Sequence, residues 1–116
     1  MTGSIAARDD DDIYADRRAT PRVDVALPAF LHAAGTRHSV QILDLSAGGA
    51  KLDCGAVLPT GTTVMLDCGS LRCAGVVRWQ GGRLLGLSFD AELEAREVEA
   101  LRARSTALAA LLRSRG

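Results

Sequence analysis

The residues of this 116-residue chain best suited to chemistry lie in the segment DLSAGGA, which begins at Asp44. Residues two apart on an extended strand point the same way, so Asp44 and Ser46 present an acceptor and a donor side by side. Gly48 and Gly49 allow the backbone to turn sharply and a ligand to approach closely. The same pattern is also typical of a strand end where a polar side chain caps its own turn. Both interpretations are open from this segment alone.

Three arginines form a second candidate group upstream, at positions 17, 18 and 22 of the segment DRRATPR. Pro21 disfavours a helix at the residue before it, so Arg18 and Arg22 lie on a non-helical segment. A guanidinium donates in a fork to a phosphate or to O6 and N7 of guanine, and it also stacks on a purine ring. The Asp44 carboxylate complements the N1–H and N2–H donors of guanine. Together the groups match a guanine nucleotide; the alternative is that the arginines only balance acidic residues in solvent.

Composition restricts the other classes of function. The chain carries 14 basic and 14 acidic side chains, which argues against a general binder of polyanions. Aromatic residues make up 3% of the chain, too few for a nucleic-acid-binding barrel with stacked bases. The three cysteines and two histidines show no metal-ligand spacing, so we expect no metal and no cofactor. Without a catalytic pair of side chains or a phosphate loop, the sequence predicts no enzyme.

Period-two alternation of apolar residues predicts an all-β fold of short strands separated by glycine turns. Six such strands favour a small antiparallel β-barrel, because closure removes exposed sheet edges. The predicted strands span about 22–27, 38–45, 50–54, 63–66, 71–79 and 84–89. Pro28 ends the first strand or marks a sheet edge.

The alternation also assigns faces within these strands. Asp44 continues the face of Val40 and Ile42, so either the strand has left the core by Asp44 or a bulge has turned it. Trp79 continues the face of Val77 in the fifth strand.

The chain ends flank this barrel with different patterns. Residues 1–16 contain four consecutive aspartates and predict a flexible acidic leader, and 17–116 form the domain. A helix is expected over about 91–113, with Asp90 as its N-cap. Its apolar stripe contains Val98, Leu101, Ser105, Leu108 and Leu112. This stripe packs on the barrel or forms a seam with a second copy, as a possible homodimer. No signal peptide or membrane span is evident, so we expect a soluble, cytoplasmic protein.

Two motifs in this order resemble the signatures of the PilZ domain family: Arg18-x-x-x-Arg22 before the first strand, and Asp44-x-Ser46-x-x-Gly49 after the second. The number of strands, the aromatic Trp79, the segment GLSFD and the trailing helix also agree with that family. The resemblance covers most of the chain from Arg17 onwards.

The resemblance implies a six-stranded split β-barrel that binds cyclic di-GMP, a bacterial second messenger. Arg18 and Arg22 would then hold phosphates and guanines, and Arg17 would add a contact. Asp44 and Ser46 would hydrogen-bond a guanine.

The two glycines complete the implied site. Gly49 would permit close approach of the ligand, and Gly48, Lys51 and Trp79 would be neighbours. Binding would change the conformation that the domain presents to a downstream partner protein. The alternative is an interaction module of the same fold that binds no nucleotide.

Overall fold

The computed structural model describes residues 21–114, which form six β-strands and one α-helix. The strands and the helix have these bounds: β1 Val23–Ala33, β2 Thr36–Leu45, β3 Gly49–Cys54, β4 Thr63–Asp67, β5 Arg72–Gly81, β6 Leu84–Phe89 and α1 Ala95–Ser114. The predicted leader and the arginines at 17 and 18 lie outside the described residues.

Every strand pairing in this part of the chain is antiparallel, and the sheet closes on itself. The order around the barrel is β1–β2–β3–β6–β5–β4, and β4 completes the circle by pairing with the second half of β1. The predicted fold, an antiparallel six-stranded barrel with a C-terminal helix, is confirmed.

The first strand is longer than predicted, because it continues through Pro28 to Ala33. Pro28 lies opposite Gln41 of β2, whereas β4 pairs with β1 only from Phe30 onwards. The proline therefore lies where β1 has a sheet neighbour on one side, and its missing N–H is tolerated there. Of the two expectations for Pro28, the sheet edge is correct and the strand end is wrong.

The interior of the barrel is filled by aliphatic side chains and cysteine. The largest fully buried residues are Leu27, Leu31, Ile42, Leu45, Leu52, Leu85, Val77 and Cys54. All three cysteines are buried and unpaired, and burial raises the pKa of the Cys73 thiol to about 11. The Cys73 thiol therefore stays protonated near neutral pH, and all three cysteines serve as small core residues.

The helix begins at Ala95 rather than near residue 91, and Asp90 is not its N-cap. The Asp90 N–H donates instead to the Ala74 carbonyl oxygen at 2.9 Å, which continues the barrel hydrogen bonding past β6. The Glu97 carboxylate accepts from the Glu94 N–H at 2.8 Å, as the reciprocal half of a capping box does. An acidic side chain three residues into the helix therefore fixes its start.

The first half of α1 is attached to the barrel. Leu101 and Ser105 are buried, and the Ser105 hydroxyl accepts from the Ala26 N–H of β1 at 2.9 Å. Near the helix end, Leu111 and Leu112 are exposed. The first half of α1 therefore packs on the barrel of its own chain. None of the helices found between residues 21 and 114 combines the length and apolar character needed to cross a bilayer.

Candidate functional site

Three strands of the barrel shift register at the same level of its outer surface. The shifts fall between Asp24 and Leu27 in β1, between Ile42 and Asp44 in β2, and after Val77 in β5. A β-bulge of this kind rotates the following side chains relative to a regular strand. The rotation turns Asp44 out of the core. Of the two explanations expected for its position, the structure contains the bulge.

The register places one residue from each of five adjacent strands in a continuous line, here called the surface row. Its members, in order from β1 to β5, are Asp24, Asp44, Lys51, Gly86 and Trp79. Directly opposite residues on antiparallel strands lie close enough for their side chains to interact. The row therefore brings acidic, basic and aromatic groups from distant parts of the sequence onto one face.

Asp44 is the best-held charged group of this face. Its Oδ1 accepts from the Arg22 guanidinium at 2.9 Å, and its Oδ2 lies 3.6 Å from the Lys51 ammonium. The Asp44 side chain is only 13% exposed, whereas that of Arg22 is 59% exposed. Arg22, Asp44 and Lys51 are called the charged cluster below. The structure thus brings together one predicted arginine and the predicted carboxylate.

The segment that follows, residues 46–49, is called the elbow; it is buried except at Gly48, which is half-buried. The Ser46 N–H donates to the Gly49 carbonyl oxygen at 2.9 Å, and the Ser46 hydroxyl lies 3.5 Å from the same oxygen. The Gly48 carbonyl accepts from the Phe89 N–H at 2.8 Å. Ser46 is 5% exposed. Ser46 thus closes its own turn, as a polar side chain that caps a strand end does.

The two glycines of the elbow have different surroundings. A Cβ on Gly49 would lie 2.2 Å from the Leu87 carbonyl oxygen of β6, a backbone atom that cannot move aside alone. A Cβ on Gly48 would meet nothing within 4 Å. Gly49 is therefore required by the contact between β3 and β6, and Gly48 leaves open space on the outer side of the elbow.

Trp79 lies on the outer face, which differs from the sequence prediction. Val77 is fully buried and Trp79 is 45% exposed, because the register shift between them breaks the alternation. The indole lies over Gly86, where a Cβ would come within 2.1 Å of its Nε1. The glycine at 86 thus allows the indole to lie flat on β6, beside the strand that carries Lys51. A Trp opposite a Gly on the next strand is the signal that could have indicated this contact.

The arrangement offers a carboxylate acceptor, two cations and an aromatic ring on an open convex surface. These groups complement a planar ligand that has N–H donors and negative charge. Arg17 and Arg18, the remaining predicted site residues, lie outside the described part of the chain. Between residues 21 and 114, no three His, Cys, Asp or Glu side chains are grouped to hold a metal ion.

Comparison with known proteins agrees with this geometry. A family model described as the PilZ domain matches residues 16–106. The matched range contains both sequence motifs, the whole barrel and the first half of α1. A search of curated proteins found no match. Since the family match spans well over half of its sequence, the chain belongs to the PilZ domain family.

Proposed function

We propose that this protein is a single-domain receptor for cyclic di-GMP that changes conformation on binding and signals to a partner protein, without catalysis. PilZ domains are generally cyclic di-GMP receptors and act as binding or adaptor modules. The observation that carries the proposal for this chain is the Asp44 carboxylate, turned outward by a bulge and held between Arg22 and Lys51.

The contact between Arg22 and Asp44 explains how a guanine would enter the site. The guanidinium offers N–H donors to the carboxylate, and the N1–H and N2–H edge of guanine offers donors of the same kind. A guanine therefore competes with Arg22 for Asp44. Once displaced, the Arg22 guanidinium is free to bind a phosphate or the O6 and N7 atoms of a guanine. Arg17 and Arg18 supply further cationic contacts in this proposal.

The elbow supports the proposed site from below. Gly49 allows β3 to lie against β6, and Gly48 leaves room for a ligand beside Asp44. Ser46 shapes the turn, and its hydroxyl reaches a guanine only when its contact with the Gly49 carbonyl opens. The Trp79 indole, at the other end of the surface row, offers a face on which a base stacks.

A route for the signal starts at Arg22, which directly precedes β1. Four residues later the Ala26 N–H donates to Ser105 of α1. A movement of the chain at Arg22 therefore changes the strand on which the helix is anchored. Ordering the arginine segment against the barrel costs conformational entropy, which the charged contacts with the ligand must exceed. The altered position of the helix changes the surface that the domain presents to a partner protein.

Calorimetric titration with cyclic di-GMP, cyclic di-AMP and GTP tests the receptor function and gives the ligand number. The expected result is binding of cyclic di-GMP alone, with a rise in melting temperature by mass action. Because Trp79 is the only tryptophan in the sequence, its fluorescence provides a second readout on the same face. No heat, no thermal shift and no change in fluorescence at saturating cyclic di-GMP would reject the proposal.

The arginine contacts are tested by Arg18→Ala and Arg22→Ala. A hydrogen bond to a charged group contributes about 1.5–3 kcal/mol, so each variant is expected to bind cyclic di-GMP at least about tenfold more weakly. Arg83→Ala is the matched control. The Arg83 Nε lies 2.9 Å from Oδ1 of Asp53, which is on the same side of β3 as Lys51, and Arg83 lies outside the charged cluster. Unchanged affinity of both arginine variants would remove these side chains from the site.

The second candidate function is a protein-interaction module that does not bind nucleotide. One observation favours it: an apolar groove of about 290 Å³ between α1 and the first hairpin. The groove is lined by Ala26, Pro28, Gln41, Leu108, Ala109 and Leu112. A domain of this kind shows no thermal shift with cyclic di-GMP, so the titration above separates the two candidates.

A further inference from the structure

We infer that Lys51 is a specificity-determining residue, which reads the O6 atom of a guanine while Asp44 accepts from its N1–H and N2–H donors. The inference rests on the proposed function, because it assigns a role within the same site. It gives a lysine outside both sequence motifs a direct part in selecting the base.

The position of Lys51 supports this role. Its ammonium lies 3.6 Å from Asp44 Oδ2, on the side opposite the Arg22 contact with Oδ1. Lys51 is paired with Asp44 on β2 and with Gly86 on β6, so its backbone is fixed on both sides. Arg22 precedes β1 and is more exposed than Lys51. A group that discriminates between bases must be positioned before the ligand arrives, and the strand pairing positions the backbone of Lys51 in this way, whereas Arg22 lies outside the strands.

The order of charges in the Asp44–Lys51 pair matches guanine. Along its Watson–Crick edge, guanine presents the N2 and N1 donors and then the O6 acceptor. The carboxylate followed by the ammonium is the complementary order. Adenine presents an N1 acceptor and an N6 donor on the same edge. Adenine would therefore place a lone pair against Asp44 and an amino group against Lys51, and unpaired polar groups at such a site are costly.

The neighbours of Lys51 offer an aromatic surface for a base. The next residue in the surface row is Gly86, and the Trp79 indole covers it. A base whose edge meets Asp44 and Lys51 therefore extends towards the face of the indole, where it can stack. In that position the Lys51 ammonium faces the edge of the base.

The test is a cycle that combines a change in the protein with a change in one ligand atom. The full chain and its Lys51→Met variant are titrated with cyclic di-GMP and with its 6-thioguanine analogue. The analogue replaces O6 by sulfur, a weaker acceptor, and keeps the N1–H, the N2 amino group and both phosphates. Lys51→Met is expected to weaken cyclic di-GMP binding about tenfold but to change binding of the analogue less than about threefold.

Two further variants control this cycle. Lys51→Arg keeps a cationic donor and is expected to retain most of the preference for O6 over sulfur. Arg83→Met removes a cation from the same region, where it pairs with Asp53, and is expected to leave the preference unchanged. Melting temperatures of all variants confirm that each one folds.

Three outcomes overturn the inference. An equal loss of affinity for cyclic di-GMP and for the analogue in Lys51→Met means that the lysine binds phosphate rather than O6. Equal affinities of Lys51→Met and the unaltered chain mean that the lysine makes no contact. Failure of the unaltered chain to bind cyclic di-GMP rejects the proposed function and the inference with it. This outcome is distinguishable from the other two, because it is seen before any variant is made.

Discussion

The elbow and Asp44, the centre of the charged cluster, are neighbours in sequence, but they are held in different ways. Main-chain hydrogen bonds fix the elbow, and the carbonyls of Ala47 and Gly48 accept from residues beyond it at 2.8 Å each. Side-chain ion pairs hold the charged cluster, where Arg22 and Lys51 reach Asp44 from two other segments. Exposed ion pairs contribute about 0–1 kcal/mol to stability, so Arg22, the more exposed partner, leaves Asp44 at small cost.

The difference separates two roles within one short motif. In Asp44-x-Ser46-x-x-Gly49, the serine and the glycine shape the barrel, whereas the aspartate offers a functional side chain at its surface. A buried, hydrogen-bonded turn gives the carboxylate a fixed backbone. The weak ion pair with Arg22 lets that arginine exchange for a ligand, while Lys51 stays on its strand beside the carboxylate. Substitutions in the two regions should therefore change different measured quantities.

The largest expected effect is the loss of stability in Gly49→Ala. The added Cβ would lie 2.2 Å from the Leu87 carbonyl oxygen, so β3 and β6 must separate. Overpacking of this kind costs about 3 kcal/mol. For a domain of this size that lowers the melting temperature by more than about 10 °C. Thermal unfolding followed by circular dichroism measures it.

Gly48→Ala is the matched control for this substitution. Its Cβ meets nothing within 4 Å, so stability should change by less than about 0.5 kcal/mol. Equal melting temperatures for the two alanine variants would contradict the assignment of Gly49 to the contact between β3 and β6.

The second effect is a loss of affinity without a loss of fold, in Asp44→Asn. The amide keeps the shape of the carboxylate but lacks its charge and presents donors to a guanine edge that also consists of donors. Binding of cyclic di-GMP should weaken at least about tenfold, while the unfolding free energy changes by no more than about 1 kcal/mol.

Asp53→Asn serves as the control for Asp44→Asn, since Asp53 lies two residues from Lys51 on β3 and pairs with Arg83. Calorimetry on both variants separates a local contact from a general change in charge. Equal affinities of the two variants would place the ligand elsewhere on the molecule.

Ser46→Ala has a smaller expected effect, and it decides the role of the serine. Ser46 is 5% exposed and its hydroxyl faces the Gly49 carbonyl, so its removal should cost about 1 kcal/mol of stability. Affinity for cyclic di-GMP should fall less than in Asp44→Asn. A tenfold loss of affinity with an unchanged melting temperature would instead identify the hydroxyl as a ligand contact.

The sequence predicts most of the barrel but not the places where register changes. The pattern of β6 predicts its bounds, because regular alternation with glycine turns contains the needed information. Trp79 shows what is missing: period two assigns it to the face of Val77, and the shift that turns it outward depends on pairing with β6. Bulges are set by contacts between strands, so one strand's pattern predicts them only as alternatives, as at Asp44.

Predicting the charged cluster also requires the pairing of strands, which the sequence pattern does not show. The motifs identify Arg22 and Asp44, but Lys51 joins them only because β2 and β3 pair with a register shift. The helix start illustrates the same limit. Asp90 is an acceptable N-cap by residue type, but its N–H donates to the Ala74 carbonyl oxygen of the barrel instead. Local patterns indicate which residues are available, and the strand pairing decides which of them meet.

The smallest expected effect tests whether the charge of the surface row acts on the ligand from a distance. Asp24 lies directly opposite Asp44, where its negative charge opposes the approach of a ligand with two phosphates. Two unit charges about 7 Å apart in water interact by about 0.6 kcal/mol. Asp24→Asn should therefore strengthen cyclic di-GMP binding about two- to threefold at low salt. The gain should fade in high salt, where screening shortens the range of the interaction. Weaker binding in Asp24→Asn, or a gain that persists in high salt, would show that Asp24 holds part of the binding surface rather than repelling the ligand.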